Sequence, residues 1–166
     1  MTTLIDIKEG KKKSKRRFIL HIIFVSILSI LVIGGTITSL LLSSLDYNWN
    51  LISNILIWAL YLIFIIFYFI NIFPVVSHYY FFYKNMNEVA LEKRRHLTYV
   101  GEIENKTLSN VIYRVVQFSY KEGESEFIDN LYLLDSDYQF IANKAYRLQT
   151  FRNVIIRSED LSDATI

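Results

Sequence analysis

The sequence predicts a membrane α-helical hairpin of two transmembrane helices followed by a small all-β domain, about five antiparallel strands arranged in a barrel-like way. Three observations predict it. Residues 18–42 and 51–76 form two long apolar runs. Basic residues stand on the outer flank of each run: Lys11, Lys12, Lys13, Arg16 and Arg17 before the first, and Lys84, Lys93, Arg94 and Arg95 after the second. Beyond residue 97 the spacing of apolar residues changes from helical to alternating.

Residues 1–17 read as a basic cytosolic N-terminal segment, with seven basic and two acidic side chains. The first run, 18–42, carries no charge. As a helix it extends roughly 37 Å, more than the roughly 30 Å of a hydrocarbon core, so it can cross with some tilt. It is too long for a signal-peptide apolar region, and no small-residue cleavage site follows. Gly34, Gly35 and Ser39 give a small-residue spacing suited to helix packing in a hairpin or a homo-oligomer. The run contains no Asp, Glu, Lys or Arg, nor does the second, which argues against an ion pump or a proton-coupled carrier.

Residues 43–50 make a short outer connector whose only charge is Asp46. Trp49 stands at the outer mouth of the second run, 51–76, and Tyr79 and Tyr80 at its inner end, where amphipathic rings favour the membrane interface. Pro74 removes a helix hydrogen bond and predicts a bend or hinge. Basic outer flanks and a connector without Lys or Arg predict that both termini are cytoplasmic. The abundance of Ile, Asn, Lys and Tyr fits a bacterial protein, and hence a multi-pass protein of the cytoplasmic membrane.

Residues 77–96 read as a juxtamembrane amphipathic helix, with Phe82, Met86, Val89 and Ala90 on one face and Lys93, Arg94 and Arg95 available to anionic lipid. Residues 97–158 read as the cytosolic β-domain. Alternation from Leu97 to Ile103 marks one strand, from Val116 to Tyr120 a second, and residues 127–134 a third. A turn at Gly123 separates the last two. Asp135, Ser136 and Asp137 offer caps for a helical turn near 138–143. Strands at 146–150 and 154–157 are joined by a tight turn at Arg152-Asn153, and 159–166 forms a tail. The domain from residue 97 onward carries seven basic and eleven acidic side chains, the opposite of what a nucleic-acid partner requires.

Tyr99-Val100-Gly101-Glu102-Ile103, then Tyr113-Arg114-Val115-Val116-Gln117-Phe118-Ser119-Tyr120, a Gly turn and a closing hairpin follow the two apolar runs. That order resembles a widespread bacterial family of membrane proteins of unknown function whose soluble part is a small β-domain. The equivalents of the family's closing hairpin here are Asn143-Lys144 and Thr150-Phe151-Arg152-Asn153, without its proline. The resemblance implies the architecture and no catalytic residues.

Chemistry-bearing patterns are sparse. There is no cysteine, and His21, His78 and His96 stand in no metal-ligand spacing. Asp135 and Asp137 lack the glycine and distal Glu of a calcium loop. No Ser-His-Asp set or phosphate-binding glycine loop is present. The expectation is a protein without catalytic residues, cofactor or metal: a non-enzymatic interaction or accessory module whose partners are the lipid bilayer and either a protein or further copies of itself. The alternative is a bilayer-acting immunity protein against a membrane-directed toxin.

Overall fold

A computed structural model describes residues 1–42, 47–134 and 137–161, with the side chains of 42 and 47–50 also outside the description. Most of the connector 43–50, the Trp49 side chain, the caps at Asp135 and Ser136, and most of the tail 159–166 therefore lie outside the described residues. The chain forms two compact units, one of Lys13–Tyr80 and one that joins Met1–Lys12 to Phe81–Ile166.

The first unit is helical. Helix α1 spans Ile7–Leu42 and α2 spans Tyr47–Phe67. A π-helical turn, Tyr68–Ile72, connects α2 to α3, Phe73–Asn85. Pro74 lacks an N–H, and its ring crowds the carbonyl four residues back. The wider π register directly before it relieves that crowding: Phe73 N–H bonds to the carbonyl of Tyr68, five residues back. Backbone angles on both sides of the turn stay helical, so the helical path continues into α3 through Pro74. The stretches Ile7–Leu41 and Leu51–Asn85 are long and apolar enough to cross a membrane. None of the most apolar window of the first is buried, and only 6% of that of the second. Such exposure suits lipid and not the core of a globular domain.

The second unit is a closed barrel of five strands: β2 (Glu92–Leu108), β3 (Val111–Glu122), β4 (Ser125–Leu134), β5 (Ala145–Phe151) and β6 (Val154–Asp160). The ring runs β6-β4-β3-β2-β5 and closes from β5 to β6. Four pairings are antiparallel and the fifth, β4 with β6 at Tyr132 and Val154, is parallel. The expected antiparallel order thus fails at one seam, and for a reason of parity. Neighbours in a ring can alternate in direction all the way round only if their number is even. The two-residue strand β1, Thr2–Thr3, adds to β6 opposite Ser158 and Arg157. The start of the basic N-terminal segment is thus structured: Leu4 packs on the barrel core, Ile5 and Ile7 are buried, and the helix begins at Ile7.

Residues 77–96 do not form one helix. Helix α3 stops at Asn85, and Glu92–His96 already belong to β2, paired with β5. Phe82 and Met86 are buried as the helical pattern requires, but Val89 is 98% exposed, because Asn87 is extended and residues 88–90 form a separate 3-10 turn out of phase with α3. Residue 96 marks a bulge. From Arg94 to Leu97 β2 advances one residue more than β5, and His96 takes φ 56°. Gly10 faces Tyr83 so closely that a Cβ there would lie 2.1 Å from the ring. Two tight turns have both central residues left-handed: Ser109-Asn110 between β2 and β3, and Arg152-Asn153 between β5 and β6.

Inside the barrel Leu97, Tyr99, Val116, Phe118, Leu131, Leu133, Phe140, Tyr146, Leu148 and Ile155 form the core. The ring centroids of Phe118 and Phe140 are 5.1 Å apart, and those of Phe140 and Tyr146 5.0 Å. No helical turn forms at 138–143. Phe140 is held in the core, and the Ile141 N–H donates to Tyr146 Oη (2.9 Å) instead of to a helical carbonyl. The chain then turns through Asn143 at φ 61°. Strand β6 continues to Asp160, where Lys144 meets it at 3.0 Å, so 159–160 are strand and not tail.

Candidate functional site

In the helical unit, α1 and α2 meet along a polar seam. Ser29 Oγ and Tyr61 Oη lie 2.6 Å apart, Trp58 Nε1 donates to Thr36 Oγ1 (2.9 Å), and Asn54 Nδ2 donates to Ser39 Oγ (3.0 Å). Positions 29, 36 and 39 share one face of α1, and 61, 58 and 54 share one face of α2. Ser29 and Thr36 also donate to the carbonyls of Val25 and Val32 one turn back. Ser29 and Thr36 therefore each bond locally and also meet a partner across the seam.

Within the hairpin, the contacts differ from the helix-packing residues read from the sequence. Ser39 does join the helices, through Asn54. Gly34 and Gly35 do not, since a Cβ at either would have nothing within 4 Å. The seam is held by hydrogen bonds, and no close approach of backbones is made at the glycines. Asn54, Trp58 and Tyr61 escaped the sequence reading because each lies in an apolar run. The signal available was their 3–4 spacing, which matches that of the α1 hydroxyls.

Toward the other end the seam turns aromatic. Phe24 meets Phe64 at 6.3 Å, His21 meets Tyr68 at 5.9 Å, and Phe18 stacks on Tyr80 at 4.3 Å. Tyr80, expected at the membrane interface, is thus half-buried against Phe18, and Tyr79 is half-buried beside His78. On one flank of this part a cavity of about 270 Å³ is lined by Leu20, His21, Phe24, Phe64, Tyr68 and Ile72. Lys13, Arg16 and Arg17 are exposed on α1 and form no ion pair among the described residues. Lys12 is exposed as well, whereas Lys11 donates to Asn87 Oδ1 (2.7 Å) within the other unit.

In the barrel unit, Lys93 and Arg95 are exposed on β2. Arg94 is occupied otherwise: it pairs with Asp129, lies 3.1 Å from Glu92 and donates to Asn153 Oδ1 (2.8 Å). Its guanidinium ties β2 to β4 and to the β5–β6 turn, so it is not a free lipid anchor. Arg114 pairs with Glu102 across β3 and β2. Burial pushes the Tyr99 phenol above its usual pKa, and the Glu102 carboxylate pushes the same way. No group of three or more His, Cys, Asp or Glu able to hold a metal ion occurs among the described residues.

Among the described residues, two strand edges remain open in the ring. On the side away from β3, β2 is paired with β5 up to Thr98 and bonded through Tyr99 to Asn143 and Lys144, and β4 is paired with β6 only at Tyr132. The β2 edge is broken by shifts between Tyr99 and Gly101 and between Ile103 and Lys106. The β4 edge is regular: its register against β3 is unbroken from Ser125 to Leu134. Phe127 and Ile128 on it are 44% and 60% exposed. Tyr132 N–H donates outward to Asn153 O (2.8 Å), so by strand alternation the N–H groups of Asn130 and Ile128 also point to the open side. No family model, no curated protein and no solved structure matches this chain.

Proposed function

We infer that this protein holds a β-barrel at the inner face of a bacterial cytoplasmic membrane as a non-enzymatic interaction module, and that it binds a partner protein by strand addition to β4. The observation that carries the reading is the β4 edge from Ser125 to Asn130, regular, unpaired on one side among the described residues and bearing exposed Phe127 and Ile128. Folded proteins blunt such edges with bulges, proline or lysine, as β2 does with its two shifts. An edge left flat is a template for a partner's strand, where main-chain hydrogen bonds supply affinity and alternate side chains supply specificity. The topology rests on two supports. Met1–Lys12 and Phe81–Ile166 fold as one unit, so two membrane-crossing helices would return the chain to the face it left. The basic flanks assign that face to the cytoplasm.

The test is site-specific photocrosslinking of the full chain in cells, with a photoreactive residue at Ile128 or, as control, at Lys106 on the bulged edge. A discrete protein adduct is expected from Ile128 and not from Lys106. It should disappear in Asn130→Pro, which removes an outward N–H and leaves the β3–β4 ladder in place. An adduct from Ile128 that persists in Asn130→Pro, or the same adduct from both positions, would overturn strand addition.

A further inference from the structure

We propose that the flank of the hairpin at the His21–Tyr68 end is a binding site for one anionic glycerophospholipid, its phosphate held by Lys13 and Arg17 and one acyl chain lying in the cavity above them. The cavity of about 270 Å³ sits among Leu20, His21, Phe24, Phe64, Tyr68 and Ile72, all within the helical unit. Its wall is made almost wholly of hydrocarbon and aromatic carbon, and it lies inside the apolar stretches long enough to cross a membrane. What surrounds it there is lipid chain.

The charge lies in line with it. At 3.6 residues per turn, Lys13, Arg17, Leu20, His21 and Phe24 fall within an arc of about 100° on α1. Arg17 is one helical turn, about 6 Å, below His21. Both cations are exposed, and neither forms an ion pair among the described residues. Long basic side chains at this depth extend toward headgroups while their stems stay apolar. The face therefore has the two-part chemistry of a phospholipid, anion below and chain above, in the order that a cytoplasmic-leaflet lipid presents. The opposite wall comes from the π-helical turn, which supplies Tyr68 and Ile72. Such turns occur frequently at functional sites, since the extra residue per turn opens the helix surface.

The experiment is native mass spectrometry of the full chain in detergent, with dioleoyl phosphatidylglycerol or dioleoyl phosphatidylcholine added. One phosphatidylglycerol is expected to remain bound, at about tenfold or more above phosphatidylcholine, as two basic residues at a lipid surface supply. The double variant Lys13→Gln/Arg17→Gln should lose that preference, while Lys12→Gln/Lys15→Gln, with the same charge removed from other faces, should keep it. Leu20→Trp, which fills the cavity, should lose the bound lipid; Ile30→Trp, on an exposed face away from it, should not. Helix content by circular dichroism checks that each variant is folded. Equal retention of the two lipids, a preference indifferent to Lys13 and Arg17, or a Leu20→Trp variant that binds as the unaltered chain does would each overturn the site. So would displacement of the dioleoyl lipid by glycerophosphoglycerol at equal concentration, which would show that the headgroup alone suffices.

Discussion

Tyr99 shows how one residue in the barrel sets a measurable property. Its ring packs against Phe118 and Phe140, and its phenol is held above the usual pKa by burial and by Glu102, with Arg114 opposing. The folded state thus keeps the proton more tightly than the unfolded chain does. Its contribution to stability is full below the unfolded value near 10 and declines as pH rises through that value toward the folded one. Urea unfolding at pH 8 and at pH 11 should show a loss of stability at the higher pH that is smaller in Tyr99→Phe. An equal loss in both would remove Tyr99 as the source. Tyr99 was legible as a strand residue from its alternation with Val100, yet the phenol's environment was not, because Phe140 reaches it from a segment with no periodic pattern.

At the scale of elements, the α1–α2 seam and the end of α3 carry the contrast. The seam puts three hydrogen bonds across two apolar helices: Ser29 with Tyr61, Trp58 donating to Thr36, and Asn54 donating to Ser39. In lipid there is no hydrophobic drive between helices, and interhelical hydrogen bonds average about 0.6 kcal/mol each. The triple variant Ser29→Ala/Thr36→Val/Ser39→Ala should therefore weaken the helical unit by about 2 kcal/mol in detergent unfolding, with Gly34→Ala/Gly35→Ala nearly neutral because open space surrounds both. A larger effect from the glycine pair would reverse this assignment. The helices were readable because 25 uncharged residues have few alternatives. Their contact face was not, since Ser, Thr, Asn and Trp in an apolar run point nowhere until a second helix is beside them. The end of α3 failed for a related reason. The pattern Phe82, Met86, Val89, Ala90 is helical by period, but α3 ends at Asn85, an extended Asn87 breaks the phase, and the β5 ladder takes over from Glu92.

At the scale of the molecule, the unexpected finding is that the first residues complete the barrel unit. Ile5 is buried, and the N–H groups of Leu4 and Ile5 donate to Ile156 O at 2.9 and 3.2 Å. Ile5→Ala should cost about 2–4 kcal/mol by lost burial and the space left behind, read as a shifted urea midpoint of the barrel. An unshifted midpoint would mean that β1 is not part of its stability. The same union bears on topology. Single cysteines at Asn48 and Ser125, in a chain that has none of its own, should label from opposite sides of sealed vesicles. Labelling from one side would overturn the hairpin crossing.

The amino-acid sequence by itself determined the two apolar helices, the alternation of the strand residues from Leu97 onward and the turn at Arg152-Asn153, because each rests on local period, length or backbone preference. Tertiary structure alone decided that β1 joins β6, that the ring closes with one parallel seam, that Arg94 binds Asp129 instead of facing lipid, and that hydroxyls rather than glycines join the helices. Those outcomes depend on which distant segments meet. Hydrogen-bond and charge partners more than a hundred residues apart, as Leu4 and Ile156 are, leave no period in the chain that brings them together.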